Sequence, residues 1–149
     1  MIALTVMQPY ASFIAARADD QMGKDIENRT WPLPRSFVTP QRVYVHAGLK
    51  PDGKNYNETK HITGGLMQLL WKLGEAEGHS DVWDTVYLRR QSRANRYGAI
   101  LGTVEITGCV TESDSPWFGG PYGFTLADPV VFDEPIPYAG KLGFFEVQL

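Results

Sequence analysis

The run over residues 97–110, YGAILGTVEITGCV, constrains the fold of this chain more than any other stretch. Its β-branched and apolar residues make it the clearest strand signal in the sequence. Gly98, Gly102 and Gly108 interrupt it, and glycines inside a strand pattern mark bends or bulges. A long strand that bends repeatedly suits a sheet curved around a small barrel.

The remaining segments read as partners for that strand. Residues 1–6 form a short apolar run, and Gln8-Pro9 ends it, so a first strand leads into a helix. In that helix, predicted over 10–18, Tyr10, Phe13, Ile14 and Ala18 make one apolar stripe for the sheet, while Ser12 and Arg17 fall on the surface. Residues 41–47 alternate, with Val43, Val45 and Ala47 on one face and Tyr44 and His46 on the other. Residues 122–127 read as a strand, 130–137 as an extended connection, and 143–147 as a closing strand. Pro32, Pro34 and Pro40 mark a loop. Between 59 and 73, Ile62, Leu66, Leu69, Leu70 and Leu73 recur at helical spacing. Asp81 can cap a further helix, and Arg89, Arg90, Arg93 and Arg96 follow as a basic cluster whose default reading is a solvated face. No repeat or separating linker is visible, and 149 residues fit one domain spanning 1–149. The expected class is α+β, a curved sheet or small barrel with helices at its periphery.

Composition narrows the functions open to such a domain. A net charge of -3 argues against indiscriminate binding to the phosphate backbone, so any nucleic-acid contact has to be local. The single cysteine, Cys109, excludes an internal disulfide and is expected in the core of its strand. His46, His61 and His79 are too scattered for a metal motif, and neither a metal nor a cofactor is expected. No apolar run approaches the roughly 20 residues of a spanning helix, and no secretory signal opens the sequence, so no membrane partner and a cytoplasmic location are expected.

The stretch with the densest chemistry is 23–34, GKDIENRTWPLP. Strand alternation places Asp25, Glu27 and Arg29 on one face and Ile26 with Asn28 on the other. Lys24 follows a glycine and can swing toward Glu27 and Arg29, and Trp31 stands just beyond. A solvated edge strand whose charges merely pair is the plain reading. A second concentration is SPWFGGPYGF over 115–124, which either plugs one end of the core or offers rings to a base, with Phe118 the stronger candidate for plugging and Trp117 open to both. For His46, the structural reading is a half-buried imidazole satisfied by one backbone carbonyl, and the functional one is a donor lining a cleft.

Taken together, LTVMQPYASFIAA, GKDIENRTW, VYVHAG, GAILGTVEITGCV, SPWFGGPYGFTLADP and PIPYAGKLGFFEV resemble an ASCH domain, the activating signal cointegrator homology domain of the PUA-like superfamily. The most specific element is GxKxxExR, here Gly23, Lys24, Glu27 and Arg29, supported by Gln8-Pro9 and by residues 119–122. The resemblance runs from Leu4 to Val147 and weakens over 50–96, which is accordingly read as a helical insertion. It implies a small PUA-like β-barrel with helices at its rim, and a cleft lined by the GxKxxExR strand and the residues after the first strand.

That resemblance implies a nucleic-acid or nucleotide binding module, with RNA or a single-stranded end as partner and a modified nucleotide among the candidates. The residues expected at the nucleic acid are Gln8, Tyr10, Ser12, Lys24, Glu27, Arg29, Trp31, Arg35, His46, Trp117 and Tyr122. Trp31 or Trp117 would stack, Arg29 or Lys24 would hold phosphate, and Glu27 would accept from a base amine. Parts of the family imply a hydrolase instead, a ribonuclease or an acetylcytidine amidohydrolase, with Lys24, Glu27 and Arg29 as the catalytic group. In the amidohydrolases a lysine, a threonine nucleophile and a distant glutamate act together. Lys24 matches the lysine, but Glu27 stands where the threonine would be, and a carboxylate does not replace a hydroxyl in forming an acyl-enzyme. Glu27 is also expected to raise the pKa of Lys24 and so to oppose its use as a base. A third expectation is a protein partner reached through the insertion and its arginines.

Overall fold

The computed structural model describes residues 1–8, 10–15, 24–51, 97–115 and 117–149. The helices expected within 50–96, the arginine cluster, and the end of the first helix at Arg17 and Ala18 lie outside the described residues.

Among the described residues, six strands form one sheet. They are β1 (Ile2–Gln8), β2 (Ile26–Arg29), β3 (Gln41–Pro51), β4 (Ala99–Val110), β5 (Tyr122–Pro137) and β6 (Phe144–Glu146), with a short helix α1 (Tyr10–Ile14) after β1. Their order across the sheet is β2-β5-β4-β3-β1-β6. Only β1 and β3 run parallel, as the helix between β1 and the rest of the sheet allows; the other neighbours are antiparallel. The described part is thus mostly β, with a curled, half-barrel sheet.

The curl comes from β4 and β5. Their register slips between Ile100 and Gly102, between Thr103 and Glu105, and between Ile106 and Gly108, so two of the three slips fall at the glycines flagged by the sequence. At Gly102 a side chain has no room, because the Val130 carbonyl stands where a Cβ would be. Alternation then sorts the side chains. Leu4, Val6, Val43, Val45, Ala47, Leu101, Val104, Ile106 and Phe124 fill the main core with Ala11 and Ile14 of α1. Ala3, Ile100, Phe145 and Val147 form a smaller cluster with Tyr44, Ile136 and Tyr138.

Three expectations are corrected. Residues 130–137 are not a separate connection but the second half of β5, which runs unbroken from Tyr122 to Pro137. Pro129 and Pro135 are tolerated there because neither is paired with β4. Cys109 lies in β4 as expected but is exposed, since alternation from the buried Ile106 puts it with Thr107 on the outer face. Ser12 is buried at 3% exposure, because all of Ala11, Ser12, Phe13 and Ile14 are enclosed in this short helix.

Gly102→Ala tests the source of the curl. The added methyl must displace the Val130 backbone, so a loss of about 1–3 kcal/mol is expected in a urea titration of the folded chain.

Candidate functional site

Strand β2 is only four residues long and lies at one end of the sheet, paired with Tyr122–Thr125 of β5 in the register Arg29↔Tyr122, Glu27↔Phe124 and Ile26↔Thr125. The residues that lead into it are tied to the end of α1, since the Lys24 amide donates to the Phe13 carbonyl at 2.9 Å. The charged face of β2 therefore turns inward. Its groups are not the solvated pairs of an ordinary edge strand, for the Lys24 and Glu27 side chains are only 3% and 9% exposed.

Glu27 is the hinge of an ion triad. One carboxylate oxygen, Oε2, lies 3.2 Å from Lys24 Nζ, and the other, Oε1, lies 3.1 Å from Arg29 Nη2. Lys24 Nζ also donates to the Ile26 carbonyl. Arg29 Nη2 donates in addition to the Thr5 carbonyl of β1 at 2.7 Å, while its Nε is enclosed without a partner. Aromatic rings surround the cations. The Lys24 ammonium sits 5.7 Å from the ring centres of both Tyr10 and Trp117, and the Arg29 guanidinium 5.6 Å from that of Trp31. Trp31 in turn packs edge-on against Phe124 and Phe144.

Burial pushes the Lys24 ammonium below its ordinary range, because desolvation outweighs the attraction and hydrogen bond of Glu27, and Arg29 adds to the lowering. The sequence supplied the raising influence of Glu27 but not the extent of burial, and burial wins.

The structure thus brings together Tyr10, Lys24, Glu27, Arg29, Trp31 and Trp117, with Tyr122 opposite Arg29 in the ladder. Trp117 is 5% exposed and packs on Phe13, so it serves as a wall, and Phe118 is the less buried of the two rings. Gln8 is fully buried and caps α1 by accepting from the Ser12 amide at 3.1 Å. The Ser12 hydroxyl is enclosed without a partner. Arg35 is exposed in the loop after β2. His46 stands apart from the triad and meets the Tyr138 carbonyl, but it is fully buried where a half-buried ring was expected, and it also meets Thr5.

Asn28 escaped the sequence reading as a site organiser. Its Nδ2 donates to the Trp117 carbonyl at 2.9 Å, and its Oδ1 accepts from the amides of Gly119 and Gly120 at 2.8 and 3.2 Å. Beside it, the Ser115 hydroxyl donates to Asp25 Oδ1 at 2.6 Å and accepts from the Trp117 amide at 3.2 Å. Asn28 on β2 and Asp25 just before it thereby fix the loop that carries Trp117; Asp25 is exposed and does not share the enclosed face of Glu27 and Arg29 as alternation predicted. The available signal was an asparagine in a strand with a glycine pair elsewhere in the chain.

Among the described residues, no group of three or more His, Cys, Asp or Glu side chains could hold a metal ion, and no helix is long and apolar enough to cross a membrane. No protein-family model matches the chain, and no curated protein matches it.

Glu27→Gln leaves two buried cations without their shared anion, so it should cost about 3–5 kcal/mol in urea unfolding. Lys24 adds a pH dependence. Between its lowered folded-state pKa and 10.5 the unfolded chain binds more protons, so this group makes stability rise with pH through that window. Lys24→Met should flatten the rise in unfolding free energy on the approach to that upper limit.

Proposed function

We propose that the chain is a PUA-like module of the ASCH kind that binds a nucleotide or single-stranded nucleic-acid end, RNA in the first instance, beside β2. The observation that carries this reading is the ion triad enclosed by aromatic rings at the end of the curled sheet. Burying three ionised groups is a poor way to stabilise a fold, since well-packed apolar side chains often do as well or better. A cation held against an indole is well suited to a ligand with both a flat base and a phosphate.

Burial divides the roles among the candidates. Lys24 and Glu27 are enclosed and already partnered, so they hold the site together. Arg29 keeps 18% of its side chain exposed, and Tyr10, Trp31 and Tyr122 are half-buried. These four, with exposed Arg35, are the groups that would meet the ligand. Stacking on one base contributes about 1–3 kcal/mol, which suits a chain whose net charge is -3.

A hydrolase acting on RNA or on a modified nucleoside is the second reading, and the lowered pKa of Lys24 favours it, because desolvation increases the share of neutral amine that can accept a proton.

Fluorescence anisotropy of short labelled RNA and DNA strands over a salt series tests both readings, with each sample then run on a denaturing gel. Binding with a shallow salt slope and intact strands is expected, and Arg35→Ala should reduce the slope by about one. Shortened strands would place the hydrolase first, and neither binding nor cleavage would overturn the nucleic-acid reading.

A further inference from the structure

We infer that His46 is a positioning residue for Arg29, acting through Thr5; as a statement about ligand binding this rests on the nucleotide-binding reading. Arg29 comes from β2 at one end of the sheet and Thr5 and His46 from the neighbouring strands β1 and β3 in its other half, and the ladder explains why they meet. Strand β6 pairs with β1 only from Ile2 to Leu4, so the next carbonyl along β1, that of Thr5, is free to accept from Arg29 Nη2 at 2.7 Å. The ladder to β3 holds one edge of Thr5, and the crossing segment 138–143 holds the other. The Thr5 amide donates to the Gly143 carbonyl at 3.0 Å, and the Thr5 hydroxyl donates to the Lys141 carbonyl at 2.5 Å.

His46 anchors both ends of that arrangement. It is the register partner of Thr5 on β3 and is 2% exposed. Its Nε2 donates to the Tyr138 carbonyl at 2.9 Å, which leaves Nδ1, 3.1 Å from Thr5 Oγ1, as an acceptor that shares the one Thr5 hydroxyl proton with the Lys141 carbonyl. Phe145 meets the ring edge-on at 5.4 Å, and a methyl group at Gly140 would fall on the imidazole, so the crossing is packed directly against it. The imidazole thus clamps the crossing to β1 at the residue whose carbonyl aims Arg29. Without the clamp Thr5 keeps its ladder to β3 but its outer edge is held less firmly, so its carbonyl aims Arg29 less tightly and the side-chain pairing with Glu27 carries more of the load.

A double-mutant cycle separates this role from a general contribution to stability. His46→Phe keeps a flat ring against Phe145 but removes both polar contacts, and Thr5→Val removes the hydroxyl while keeping the carbonyl. Each should weaken binding of a short labelled RNA about three- to tenfold, and His46→Asn, whose amide can take the place of Nδ1, should restore part of the loss. In an Arg29→Gln background His46→Phe should have no further effect. A full, additive loss in that background would overturn the proposal. A second readout needs no ligand: in the free protein, exchange of the Arg29 side-chain N–H protons with water, followed by NMR, should quicken in His46→Phe and in Thr5→Val. Unchanged exchange in both variants would overturn the proposal even if RNA binds, whereas quickened exchange in a protein that binds no RNA would uphold the coupling and discard only the ligand.

Discussion

The contact between Arg29 and the Thr5 carbonyl ties together the two ends of a sheet that no backbone ladder joins. A closed barrel needs no such contact, because its first and last strands pair directly. Here β2 offers only four residues and uses its backbone on β5, so a side chain has to reach β1. A guanidinium suits the task because its fork can serve a carbonyl and a carboxylate at once. Enclosing that cation requires an anion, and Glu27 supplies it; the second oxygen of Glu27 then accommodates Lys24. The triad follows from the way the sheet is left open.

Much of the sheet was legible because strands buried on a face declare themselves by composition. Val43 and Val45, and the β-branched run of β4 with its glycines, needed no tertiary information. Phase was harder to read. Alternation put Glu27 and Arg29 on one face of β2, but it does not say whether that face looks inward, and at the end of a curled sheet the inward face of an edge strand can be as enclosed as the core. Phase also decides Cys109, which alternation from the buried Ile106 puts with Thr107 on the exposed face of β4. In β5 the strand continues beyond the expected end at Ala127, and it carries Pro129 and Pro135 at positions that have no register partner on β4.

The site was legible as a set of residue types and opaque as a set of contacts. Lys24, Glu27, Arg29 and Trp31 lie within eight positions, so local spacing was enough to group them. Tyr10 and Trp117, which enclose the ammonium, come from α1 and from the loop before β5, and Asn28 meets its loop partners across 89 to 92 residues. No local pattern carries separations of that length. His46 shows the complementary case. Its character as a satisfied imidazole could be read from its place in an alternating strand, but its connection to Arg29 depends on where β6 stops.

Lys24 shows why the magnitude of burial, and not the identity of neighbours, decides the chemistry. Glu27 favours the charged amine and desolvation disfavours it, and with a side chain only 3% exposed the second effect prevails. That enclosure removes Lys24 from the set of cations that could reach a phosphate, since its contacts are already taken by Glu27 and the Ile26 carbonyl. Its charge instead reaches the surface indirectly. By occupying one oxygen of Glu27 it leaves only the other for Arg29, and so helps to fix the angle at which the one partly exposed member of the triad meets Trp31.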